Sequence, residues 1–162
     1  MRNQRYHFLE DLIKENNFTC GAELGVQRGH TFFHLLETCP DLHLIGVDLW
    51  LGHNQVKYRA MKKDVMSRAK DNPRATIIYK STQEAHKEIE NKSLDFVFID
   101  ADHSYHGVFS DLKNWIPKIR EGGYICGHDC YYSGVKKAID EVLKTYKTTF
   151  DMVWYKEITD EV

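Results

Sequence analysis

Four residues of this chain combine acid, base and metal-ligating chemistry just after two apolar runs. Leu94-Asp-Phe-Val-Phe-Ile-Asp100 stops on an aspartate and is followed by His103, while Tyr124-Ile-Cys-Gly127 leads into His128 and Asp129. Carboxylate oxygens from two neighbouring strand ends suit a hard divalent ion such as Mg²⁺, which lowers the pKa of a hydroxyl bound to it. The imidazole of His103, with a near-neutral pKa, is suited to take that hydroxyl's proton. Each residue also has a plainer reading. Asp100 alone fits a cap for the helix that follows, and His103 fits a surface loop.

A second group of residues points to a nucleoside. In Cys20-Gly-Ala-Glu-Leu-Gly-Val-Gln-Arg-Gly-His-Thr31, the alternation of Ala22, Leu24 and Val26 reads as a short buried strand. Gly25 and Gly29 then free the backbone to turn tightly against a ligand before a helix begins at Thr31. About twenty residues further on, Leu42-His-Leu-Ile-Gly-Val-Asp48 reads as a strand ending in a carboxylate, where an α/β sheet places an acceptor for two ribose hydroxyls.

These residues need a sheet to bring them together. Tyr6, Phe8, Leu9, Leu12 and Ile13 share one helical face, so the chain is expected to open with a helix. After Asp48 comes the aromatic loop Leu49-Trp-Leu-Gly-His53, then a helix capped by Asn54 and carrying Val56, Met61, Val65, Met66 and Ala69. Thr76-Ile-Ile-Tyr79 reads as the third strand, with a short helix from Ser81 or Thr82 to Glu90. Leu94 to Asp100 lacks alternation, as expected of a central parallel strand covered on both faces. A helix from Ser104 to Lys118 follows, and Gly122-Gly123 is expected to turn the chain into the strand Tyr124 to Gly127. A last helix holds Val135, Ala138, Ile139, Val142, Leu143 and Tyr146, and Met152-Val-Trp-Tyr155 is the one strand candidate after it. Strands alternating with helices predict an α/β fold, a single doubly wound, mostly parallel sheet of six or seven strands with helices on both faces.

The composition sets further bounds. A chain of 162 residues, 42% hydrophobic and 28% charged, reads as one domain over 1–162 with a proper core and no linker. A formal net charge of −2 gives no general reason to expect nucleic acid. The N-terminal residues lack an apolar leader and no later run approaches a membrane span, so a cytoplasmic location with no membrane partner is expected. The four cysteines, at 20, 39, 126 and 130, read as reduced thiols, and Cys126 and Cys130 around His128 fit no common zinc spacing. His30, His34, His43, His53, His86 and His106 show no convergent partner and read as structural, His53 being the likeliest exception. Trp50 reads equally as pocket wall or core.

The glycine loop does not match a dinucleotide fingerprint, because Gln27 stands where GxGxxG needs its second glycine. It resembles the first motif of class I S-adenosylmethionine-dependent methyltransferases, here Glu23-x-Gly25-x-x-x-Gly29. The resemblance continues through Gly46-Val-Asp48-Leu-Trp50, Phe98-Ile-Asp-Ala-Asp-His-Ser-Tyr105 and Gly122-Gly-Tyr-Ile-Cys-Gly-His-Asp129, over about residues 18 to 145. It implies that Glu23, Gly25 and Gly29 approach the methionine part of the cofactor, that Asp48 with Leu49 holds the ribose, and that Ser81 borders the adenine. Gln27 replaces the family's middle glycine within that cofactor site, and Asp100 stands at its edge.

Asp100, His103 and Asp129 look like the metal-assisted O-methyltransferases that act on macrolide sugars, and more distantly like the catechol type, where a lysine matches His103. By that resemblance Asp100 and Asp129 hold Mg²⁺, Asp102 and His128 assist as further ligands or partners of ligands, His103 is the general base, and a small hydroxylated molecule is the acceptor. Two other classes compete with this expectation: a non-catalytic nucleoside-binding module of the same fold, and an NAD-dependent reductase, to which Gln27 is adverse. The relatives finish on two strands, so a single terminal strand here predicts a six-stranded sheet or an edge completed by a homodimer partner.

Overall fold

The computed structural model describes residues 5–159; residues 1–4, where the segment read for a leader begins, and residues 160–162 lie outside it. In chain order the elements are α1 (Arg5–Asn16), β1 (Cys20–Leu24), α2 (His30–Thr38), β2 (His43–Val47), α3 (Gln55–Lys70), β3 (Ala75–Ile78) and α4 (Thr82–Ala85). They continue with β4 (Leu94–Ile99), α5 (Tyr105–Trp115), β5 (Ile119–Gly127), α6 (Ser133–Leu143), β6 (Lys147–Thr148) and β7 (Trp154–Glu157). Short 3-10 turns extend α4 over His86–Glu88 and α5 over Ile116–Lys118.

One seven-stranded sheet takes the order β3-β2-β1-β4-β5-β7-β6. β1 lies parallel to β2 and β4, β2 to β3 and β4 to β5, whereas β7 runs antiparallel to both β5 and β6. All six residues of β4 are buried. Phe96 and Phe98 pack with Leu9, Ile13, Phe32 and Leu36 of α1 and α2. Leu94, Val97 and Ile99 pack with Leu112, Trp115 and Ile139 of α5 and α6 on the opposite face. Both faces are therefore covered, which is why the strand's sequence shows no alternation.

The sheet corrects several expectations. It has seven strands, within the six or seven expected, and the second terminal strand that the sequence did not reveal is β6, which pairs with β7 within the chain. Both residues of β6 are exposed, so it carries no apolar pattern to find. The Gly122-Gly123 pair lies inside β5 rather than before it, where the pairing with β4 shifts register between Leu94 and Phe96. Only glycine fits at 123, since a Cβ there would stand 2.4 Å from the Asp95 carbonyl oxygen. Along α3, Met61, Val65 and Ala69 are buried as expected, but Val56 is 80% and Met66 41% exposed, so the apolar face is narrower than its spacing suggested.

Asp100 is not a helix cap. Ser104 caps α5 with its hydroxyl accepting from the Gly107 N–H, and Asp102 Oδ1 accepts from the Ser104 N–H. The carboxylate of Asp100 therefore faces away from the helix terminus, at the strand end.

Candidate active site

The strand order reverses between β1 and β4, and in an open α/β sheet the crevice at that point is where ligands bind. Two backbone bonds join the strand ends there: Gly25 N–H donates to Val47 at 2.9 Å and Asp100 N–H to Leu24 at 2.8 Å. Gly25 has φ +92°, and a Cβ on it would lie 2.1 Å from the Asp100 carbonyl oxygen. No other residue fits without moving the β4 end.

The loop then passes through Gln27, a non-glycine residue at φ 50°. Three bonds fix it. Gln27 N–H donates to Asp48 Oδ2 at 2.8 Å, Trp50 N–H donates to Asp48 Oδ1 at 2.6 Å, and the Trp50 indole N–H donates to the Gln27 carbonyl at 2.7 Å. Trp50 is 3% exposed and belongs to the core. It braces the loop from behind. Gly29, at φ 75°, precedes α2 and lets the Phe33 ring come within 2.7 Å of where its Cβ would be. It does not line the cleft.

Gly25, Gln27, Asp48, Leu49, Ser81 and Asp100 do line one cleft of about 390 Å³, together with Leu51, Tyr58, Lys80, Gln83 and Asp102. Glu23 lies buried close by, and its Oε2 has no partner among the described residues. Burial, and then the charge of Asp100, push its carboxyl well above the usual range, while Arg5 opposes this. Ser81 precedes α4, where its hydroxyl donates to Glu84 Oε2 at 3.1 Å.

At the far side of Asp100 the acid–base group converges. His103 Nε2 stands 3.4 Å from Asp100 Oδ1 and 3.2 Å from Asp129 Oδ2. The hydrogen bond to Asp100, with the charge of Asp129 behind it, raises the imidazole's pKa above its ordinary value despite partial burial. Asp129 holds φ 58° and is almost fully buried. His128 stands outside this three-donor group. Its Nδ1 is 3.1 Å from Asp129 Oδ1 but lacks the alignment of a hydrogen bond, and its imidazole borders a neighbouring hollow of about 750 Å³.

Arg5 was not foreseen. Its guanidinium meets Asp100 Oδ2 at 2.8 Å from the first turn of α1, a contact with no local motif to announce it. Tyr58 on α3 and Lys80 before α4 also line the cleft, and neither carries a local motif that announces it. His53 is exposed and lines neither cavity, whereas His34 has the convergent partner its sequence context did not reveal, Glu10.

Residues 22–130 match the family model described as "Methyltransferase domain". The chain belongs to that methyltransferase family. An uncharacterized protein, y4gI, of Sinorhizobium fredii is 30% identical over 115 residues, 67% of this chain but only 13% of that protein's length. Among solved structures, a Klebsiella pneumoniae protein provisionally assigned as an O-methyltransferase superposes with a TM-score of 0.73 at 16% identity, covering 96% of this chain and 80% of the other. The S-adenosylhomocysteine-bound Podospora anserina methyltransferase PaMTH1 gives 0.72 at 15% identity, with 96% and 78% covered. Spermidine synthase from Thermotoga maritima gives 0.63 at 16% identity, with 95% and 58% covered. At such identities these likenesses establish the fold, that of class I S-adenosylmethionine-dependent methyltransferases, and leave the acceptor to the site itself.

The residues fit that cofactor. An unpartnered, buried carboxyl at Glu23 suits a cationic ligand, the Gly25 turn leaves its backbone bare, and Asp48 keeps unused lone pairs beside the loop that holds it. The donor set of Asp100, His103 and Asp129, all within 4.8 Å of one another, also suits a divalent ion. Among the described residues, no helix is long and apolar enough to cross a membrane.

Proposed function

We propose that this methyltransferase moves the methyl group of S-adenosylmethionine to a hydroxyl of a small acceptor such as a sugar. The observation that carries the reading is the position of His103 Nε2 between two strand-end carboxylates beside the cofactor cleft. When bound, the cofactor supplies an electrophilic methyl carbon on a sulfonium.

The protein's task is then alignment and proton removal. Glu23 near the end of β1 and the bare backbone of Gly25 face the methionine part, with Gln27 fixing the loop's path and Gly29 closing the loop at the start of α2. Asp48 and Leu49 serve the ribose, and Ser81 borders the adenine. His103 takes the acceptor's proton at Nε2, and Asp100 and Asp129 orient the ring and stabilise the imidazolium that results. Asp100 and Asp129 are also the residues that would hold Mg²⁺, whose chemistry would be to acidify the hydroxyl. Arg5 at Asp100 Oδ2 and His103 at Asp100 Oδ1 would compete with such an ion for that carboxylate.

The test is transfer of a labelled methyl group from S-adenosylmethionine to a panel of sugars and phenols, with Mg²⁺ and with chelator. We expect methylated product, and a loss of about 10²–10⁴ in kcat for His103→Ala with S-adenosylhomocysteine affinity unchanged. Cofactor binding with no product from any hydroxyl acceptor would favour a binding module instead.

A further inference from the structure

We propose that His7, Glu10 and His34 form a binding site for a borderline first-row dication, Zn²⁺ in the first instance, between α1 and α2. The three residues share none of the site described above. Each offers one donor atom, an imidazole nitrogen or a carboxylate oxygen, and these atoms lie within 4.8 Å of one another.

Geometry and chemistry agree. His7 and Glu10 are three apart on α1, the spacing that sets an imidazole and a carboxylate on one helix face, where helix bundles build metal sites. Zinc bonds of 2.0–2.2 Å at tetrahedral angles put neighbouring donors about 3.3 Å apart. Here Glu10 Oε2 is 2.8 Å from His34 Nε2 and 3.6 Å from His7 Nδ1, on either side of that value. Small rotations of the three side chains suffice.

The surroundings prepare the ligands. Lys14 takes the other carboxylate oxygen, Oε1, at 2.6 Å and leaves Oε2 to face both imidazoles. His34 Nε2 lies 2.8 Å from Oε2, so each carboxylate oxygen already has one partner. The Tyr6 ring packs on His34 with centroids 4.3 Å apart and limits its rotation. With side chains 18–29% exposed, the group can be reached from solvent, and water can fill the fourth position. Two imidazoles and one carboxylate favour zinc over Mg²⁺, which prefers oxygen.

Such an ion would join α1, which brings Arg5 to Asp100, to α2, which leaves the cofactor loop at Gly29. Binding to the folded state alone also raises thermal stability by mass action.

The test is calorimetric titration of Zn²⁺ into metal-stripped protein without S-adenosylmethionine, together with melting curves. In Asp129→Asn, which disables the second donor set of Asp100, His103 and Asp129, we expect one Zn²⁺ per chain, and in that background at least tenfold weaker binding in His34→Ala, Glu10→Gln and the more conservative His7→Gln. Excess Mg²⁺ should not displace it, and in the same background the rise in melting temperature on adding Zn²⁺ should vanish in His34→Ala. Absence of binding to the wild type, binding that survives all three ligand substitutions, or binding lost in Asp129→Asn would overturn the proposal.

Discussion

The backbone N–H of Gln27 donates to Asp48 Oδ2 at 2.8 Å, so the residue that departs from the family's glycine pattern and the carboxylate expected at the ribose form one unit. Through that bond and the indole of Trp50, the loop reaches a left-handed conformation that glycine would adopt without strain. The contribution of Gln27 is thus its backbone. Gln27→Gly should change unfolding free energy by less than about 1 kcal/mol, strain relief offsetting lost chain stiffness, and should leave S-adenosylhomocysteine affinity within threefold. A tenfold loss of affinity would instead assign a contact to the amide side chain.

Gly25 allows no such freedom. With φ +92° and the Asp100 carbonyl 2.1 Å from any added Cβ, Gly25→Ala must push apart the two strand ends that carry the site. We expect a destabilisation of about 1–3 kcal/mol or more in denaturant titrations and loss of cofactor binding. Wild-type stability and binding in this variant would show that the β1 and β4 ends do not meet as described.

The pH dependence of catalysis follows from His103. Its pKa lies above the ordinary value of about 6.5, with the bond to Asp100 as the largest cause. A general base works deprotonated, so kcat should rise with pH through an apparent pKa above 6.5. Asp100→Asn should bring that limb back toward 6.5 whatever it does to the plateau rate. For stability the sign is opposite: the imidazolium's interactions are fully present below pH 6.5 and are lost as pH rises through the folded value. NMR titration of the ring protons reads the same shift directly, and an acid limb at or below 6.5 would remove His103 as the base.

Asp111 on α5 is 1% exposed, and neither carboxylate oxygen accepts a well-formed hydrogen bond among the described residues, although the Thr82 side chain lies close enough to favour its charged form. Burial, reinforced by the charge of Asp102 and only partly offset by Thr82, pushes its carboxyl up to about 7. In the unfolded chain it titrates near 3.9. The unfolded state therefore gives up the proton first, and stability falls between about pH 4 and pH 7 before levelling. Asp111→Asn, neutral at every pH, should match the wild type near pH 4 and exceed it by a few kcal/mol at pH 8, about 4 kcal/mol being the upper bound. Equal stability at pH 8 would show that the carboxyl has a partner after all.

Much of the fold was legible because its strands and helices carry strong patterns. The unbroken apolar run of β4, the glycine loop and the carboxylates just beyond β2, β4 and β5 lie where their residue types suggested. What stayed hidden depends on contacts between distant segments. Lys147 and Thr148 have nothing to bury, so β6 exists only as a partner for β7. Val56 and Met66 keep helical spacing but face outward, because α3 meets the core through Met61, Val65 and Ala69, with Tyr58 packed at its edge. Arg5 finds Asp100, and His34 finds Glu10, across helices whose packing no local pattern records.

The central claim is that the Glu23-to-Asp48 loop holds S-adenosylmethionine. Calorimetric titration of S-adenosylhomocysteine into wild type and Asp48→Ala, with and without Mg²⁺, tests it directly. Binding to the wild type should be micromolar and should weaken by about 1–3 kcal/mol in Asp48→Ala, as expected when buried polar partners are stranded. No binding to the wild type in either condition, or equal binding to both proteins, would contradict it.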